Sequence, residues 1–155
     1  MALGGLLLGL LLWPGSLWAA DVPQRWSLAD GQGQRWAVTL FNQPDPAYPE
    51  GPRLRVTALA PAAQPGQGPS HTAPLVLRDV FSGSWSLPNV SEELVPPDAA
   101  EIPAASAQFG LDGLSGSPRD AGPLRLEIPL AGGATATLVL GPAHTAALVD
   151  GIAGA

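Results

Sequence analysis

The side chains able to do chemistry are few. The chain offers two histidines, His71 and His144, thirteen carboxylates, seven arginines, no lysine and no cysteine. Without cysteine there is no thiol nucleophile, no thiolate metal site, no disulfide and no attachment point for a lipoprotein anchor. A zinc site typically takes three or four protein ligands, and neither histidine stands at ligand spacing from other donors. A Ser/His/Asp hydrolase places its serine on a strand-to-helix elbow. Gly113-Leu114-Ser115-Gly116-Ser117 misses the Gly-x-Ser-x-Gly spacing and follows no strand pattern. Gly31-Gln32-Gly33 and Gly66-Gln67-Gly68 lack the third glycine and the lysine of phosphate-binding loops, so both read as turns. The sequence therefore predicts no cofactor, no metal and no catalytic constellation, with both histidines solvated.

The densest acidic stretch is Glu92, Glu93, Asp98 and Glu101. Such a stretch either binds calcium, meets a basic partner or is simply a solvated loop; these four residues are the candidate partner-binding positions. Asn89-Val90-Ser91 fits the glycosylation sequon, a tripeptide common by chance. Trp26, Trp36 and Trp85 could line an apolar pocket, but core packing is the expected use. The arginines stand at 25, 35, 53, 55, 78, 119 and 125 in no basic run, and the net charge is −6. Nucleic acid and anionic lipid surfaces are thereby excluded as expected partners.

What positions these residues is a set of short strands. Two half-apolar runs within Arg25–Phe41 flank Asp30-Gly31-Gln32-Gly33, the signature of a β-hairpin, with Trp36, Val38 and Leu40 on one face. Arg53–Leu59 alternates with Leu54, Val56 and Ala58 inward and Arg53, Arg55 and Thr57 outward. Pro74–Arg78 is a short strand, and Phe81 and Trp85 continue along a sheet edge. Gln108–Leu111 is a short strand or turn. Leu124–Leu130 and Thr135–Leu140 alternate about Ala131-Gly132-Gly133 and form a second hairpin. Gly141-Pro142 opens a terminal helix to about Asp150, with Gly151 as its left-handed stop. Gly and Pro make up 37 residues and sit between the apolar runs, as in a loop-rich globular domain. The long Pro/Ala-rich stretch near 82–105 is expected to be a mobile surface loop. The fold class is all-β and mainly antiparallel, a β-sandwich or small barrel of six to seven short strands with a short C-terminal helix.

The first twenty residues carry no charge and hold a Leu-rich run ending at Trp13, then Pro14-Gly15 and Leu17-Trp18-Ala19-Ala20. That order resembles a secretory signal peptide over 1–20, cut near Ala19/Ala20, followed by one domain over 21–155. The apolar run before Pro14 is shorter than the roughly 20 residues a membrane span needs.

The order of the segments resembles the exported cyanobacterial family known as DUF3122. The likeness is carried by Ser27–Trp36 with Leu40-Phe41, Leu54-Arg55-Val56, Pro74–Leu77, Gln108–Leu111, and Pro123–Leu126 with its following hairpin and the Gly141-Pro142 helix. This chain has Val149-Asp150 where the family places a Trp near the end of the last helix. The resemblance implies a cyanobacterial origin and export to the periplasm or thylakoid lumen, and it supplies no catalytic residues. The expected function is a non-enzymatic binding or accessory domain. Its partner would be a protein or membrane complex, with a photosynthetic complex among the candidates. The alternatives are a small apolar-ligand carrier or a small hydrolase.

Overall fold

A computed structural model describes residues 22–59, 66–112, 114 and 122–153. Among them eight strands form two four-stranded antiparallel sheets, followed by one helix. In chain order these are β1 (Gln24–Ala29), β2 (Arg35–Asn42), β3 (Pro52–Ala58), β4 (Leu75–Arg78), β5 (Ser84–Leu87), β6 (Ser106–Gly110), β7 (Leu124–Pro129), β8 (Thr135–Leu140) and α1 (Pro142–Ala153). The first sheet runs β1-β2-β3-β6 and the second β5-β4-β7-β8. Residues 1–20, expected to be a signal peptide, and the Ser115 segment lie outside the described residues, and no described helix is long and apolar enough to cross a membrane.

The period-2 alternation fixes both register and core. Leu28 stands opposite Trp36, Val38 opposite Val56, Leu54 opposite Phe109, and Leu126 opposite both Leu77 and Leu138. A slip of one residue in any pairing would send these side chains to the wrong face. Trp36, Leu54, Leu77, Phe109, Leu126 and Leu138 are fully buried between the sheets. Trp26 and Trp85 pack half-buried against that core.

Three hairpins share one turn. In each, the first residue of a five-residue loop donates its N–H to the carbonyl of the fifth: Asp30 to Gln34, Asp79 to Gly83, Leu130 to Ala134. The fourth position is left-handed each time, at Gly33 (φ 81), Ser82 (φ 72) and Gly133 (φ 91). Two of the three use the residue that tolerates this conformation. Phe81 sits in the second of these turns and is 72% exposed, not along the sheet edge as the sequence suggested.

The two sheets join along one side. Just after β5, Asn89 bridges Phe109 of β6, with Val90 N–H on the Gln108 carbonyl at 2.8 Å and Gly110 N–H on the Pro88 carbonyl at 3.0 Å. On the other side β1 approaches β8 without pairing, and α1 packs there. His144 of α1 stacks on Trp26 with ring centroids 4.7 Å apart, and Leu148 enters the core. Gly151 does not stop this helix, which runs on to Ala153. A side chain there would bring Cβ to 2.8 Å from Leu40 Cδ2, so the glycine lets the helix lie on the sheet. Among the described residues eight strands stand where the sequence predicts six to seven: it reads β5 only as chain along a sheet edge, and β6 as a short strand or turn. Ser and Gly around Trp85, and the brevity of Ser106–Gly110, had blurred their alternation.

Candidate functional site

The outer face of the first sheet is where charged side chains gather. Arg53 on β3 and Gln108 on β6 point away from the core, as alternation requires, yet neither reaches water. Two connections fold over them. One is the β2–β3 loop around Gln43–Gly51, and the other is a 3₁₀ turn over Ser91–Leu94. Glu93 in that turn points inward, and its side chain is 3% exposed. Its Oε2 accepts from Arg53 Nε at 2.7 Å, Gln43 Nε2 at 2.8 Å and Gln108 Nε2 at 2.8 Å, while Oε1 accepts from Arg53 Nη2 at 2.9 Å. Arg53 also donates to the carbonyls of Pro49 and Pro52 and to Asp112 Oδ2 at 3.2 Å.

Burial by itself would raise the Glu93 carboxyl. The hydrogen bonds from Arg53, Gln43 and Gln108, with the Arg53 charge, outweigh that and hold it below the ordinary carboxylate range. The hydrogen bond to Glu93 likewise raises Arg53, so both members stay charged. Glu93 is therefore corrected from a partner-binding position to a buried counter-ion. Its carboxylate ties the 89–95 segment to the sheet, so within the surface loop expected near 82–105 residues 84–87 are strand β5 and 89–95 are a packed cap. Asn89 anchors the same segment, donating through Nδ2 to the carbonyls of Ser70 and Ala73 and accepting from Ser91 N–H and Oγ. Its amide nitrogen is engaged inside the fold and is not presented for glycosylation.

Glu92, Asp98 and Glu101 are exposed on the outside of this cap. Tyr48 straps it down, its hydroxyl donating toward the carbonyls of Val95 (2.6 Å) and Glu92 (3.1 Å). Burial, then the carboxylates of Asp45, Glu92, Glu93 and Asp98, push this hydroxyl above its ordinary value. Beside Tyr48 lies a shallow groove of about 360 Å³, lined by Glu92, Val95, Pro97, Ala100 and Ile102 among others. Asp98 and Glu101 stand in the chain between residues of that lining. Of the four candidate acids, Glu92 lines this groove, Asp98 and Glu101 are exposed on the chain that lines it, and Glu93 is taken inside.

The histidines, expected to be solvated, are half-buried and each has a contact partner. His71 Nε2 faces the carbonyls of Pro103 (3.1 Å) and Ser106 (3.0 Å), so that nitrogen carries the proton. His144 is held against Trp26. Neither lines the groove. Among the described residues no three His, Asp or Glu side chains converge as metal ligands. Asp30 serves its own hairpin, accepting from the N–H groups of Gln32 and Gln34 and from Trp36 Nε1 at 3.0 Å.

No family model, curated protein or solved structure matches this chain. The expected resemblance to DUF3122 therefore rests on the segments quoted above and on no match. Sequence reasoning missed Gln43, Arg53, Gln108 and Asp112 as one cluster. Alternation says which face a side chain takes and nothing about a loop later folding over that face.

Proposed function

We propose that the chain is an exported, non-enzymatic domain that binds a protein partner through the groove beside Tyr48. One observation carries this reading: the groove is lined by Val95, Pro97 and Ile102 together with Glu92, and the exposed Asp98 and Glu101 alternate in the chain with its lining residues. A surface of that kind fits a segment with an apolar anchor flanked by Lys or Arg, where the charges steer encounter and the anchor supplies affinity. The ionisable groups that could otherwise suggest catalysis are engaged in architecture, with Glu93 on Arg53, Asp30 on its turn and His71 on backbone carbonyls. Export is supported by the uncharged leader ending at Ala19-Ala20. A periplasmic or lumenal membrane assembly is the partner class in keeping with that leader.

A photo-crosslinking residue at Ala100, in protein made by the native host, tests the reading. We expect one discrete adduct, lost when Glu92, Asp98 and Glu101 are all changed to Arg and reduced at high salt. An adduct unaffected by that charge reversal would overturn it.

A further inference from the structure

Four arginines dispersed along the chain meet on the outer face of the first sheet. Register puts Arg25, Thr39, Arg55 and Gln108 in one row across β1, β2, β3 and β6, with Arg35 further along β2 opposite Ala29. Arg25 and Arg55 flank Thr39 and so stand about 10 Å apart, two strand spacings. No Asp or Glu occupies an outward position on these four strands. Arg53 is neutralised by Glu93, but Arg25, Arg35 and Arg55 form no ion pair among the described residues. Arg35 reaches only the Ser27 hydroxyl at 2.7 Å. Arg55 lies over the Phe41 ring, 4.8 Å from its centroid, and shares the Gln108 amide oxygen. Burial lowers its pKa, the mark of a cation partly stripped of water with no carboxylate to offset the loss.

This uncompensated basic face belongs to a protein of net charge −6. Next to it the cap raises one corner of the same surface and presents Asp45, Glu50, Glu92, Asp98 and Glu101, all exposed. The surface is therefore stepped, with an acidic high corner and a basic low area side by side. Turned over about a two-fold axis lying between two such surfaces, each copy sets its high corner on the other's low area. Both charge contacts then form twice.

We propose that the basic face is covered by a second copy of this chain, its acidic cap seated on Arg25, Arg35 and Arg55. The pairing uses the acids of the groove-lining chain described above, so self-association and partner capture compete for them. Sedimentation velocity of the purified protein over a concentration series is the test. We expect a dimer at about 20 mM salt that weakens by about tenfold or more at about 500 mM. Changing Arg25, Arg35 and Arg55 together to Glu gives a monomer, and so does changing Glu92, Asp98 and Glu101 together to Arg. Mixing the two variants restores a dimer containing one of each, because each then offers the other the opposite sign on both contacts. All the altered side chains except the half-buried Arg55 are exposed, and a cooperative thermal unfolding transition shows that the variants fold. A monomer at low salt throughout, or a dimer indifferent to both reversals, overturns the pairing while leaving the groove's crosslinking result untouched. Failure of the mixture to re-form a dimer overturns it as well.

Discussion

Replacing Glu93 by Ala is the most informative perturbation of this fold. The carboxylate is 3% exposed and its Arg53 partner 2%. Truncation removes the acceptor of four hydrogen bonds and leaves Arg53 with the Pro49 and Pro52 carbonyls and the 58% exposed Asp112. Breaking one side of a buried pair costs about 3–5 kcal/mol, a fifth or more of the roughly 5–15 kcal/mol that a domain has in total. Changing Arg53 to Met costs about the same, because it strands a buried carboxylate on two neutral amides. If the two residues act as one unit, the variant carrying both Arg53→Met and Glu93→Ala loses no more than either single change. The coupling energy is then about 3 kcal/mol or more. Urea unfolding at pH 7, followed by the fluorescence of buried Trp36, reads all four proteins, and the slope should stay constant across them. A loss under about 1 kcal/mol for Glu93→Ala, the range of a solvated pair, would refute the buried counter-ion. So would simple additivity in the double variant.

The same carboxylate sets an acid limit. Its folded pKa is depressed, so its contribution is complete above the unfolded value of about 4.3 and is lost as pH falls through the lower folded value. The stability gap between the wild type and Glu93→Gln should therefore be flat from pH 7 to about 4.5 and close below that, and a gap that closes near neutrality would contradict the assignment. Ser82 adopts the left-handed conformation that glycine holds in the two sister turns, so Ser82→Gly should raise stability by about 0.5–1 kcal/mol in thermal unfolding. Thr145 Oγ1 is buried without a hydrogen-bond partner among the described residues, and Thr145→Val keeps the shape and should stabilise by about 1 kcal/mol in the same assay. At Gly68 an added Cβ would overlap the Ala104 carbonyl oxygen, so Gly68→Ala should cost about 1–3 kcal/mol of unfolding free energy.

The order of strands and turns was legible because each is a local property. Alternation over Arg53–Ala58 or Leu124–Pro129 fixes which side chains face together, and Asp30 to Gly33 fixes a turn within five residues. The inward set of Trp36, Val38, Leu54, Val56, Leu126 and Leu138 followed from that period alone and is the core of the folded chain. Where side chains have no such period, the sequence fell silent. Asn89 to Leu94 reads as one aborted helical turn, and only packing against β6 makes it a lid. Gly151 has the composition of a helix stop, and the approach of Leu40 turns it into a contact inside the helix.

Charge was decided later still. Along the chain Arg25, Arg35, Arg53 and Arg55 are isolated cations, and strand pairing puts all four on one sheet face. Arg53 is outward by period and buried in fact, because a segment forty residues further on folds over it and supplies Glu93. A two-residue period specifies the face of a strand; what covers that face depends on contacts between residues far apart in sequence, and only the assembled chain makes them.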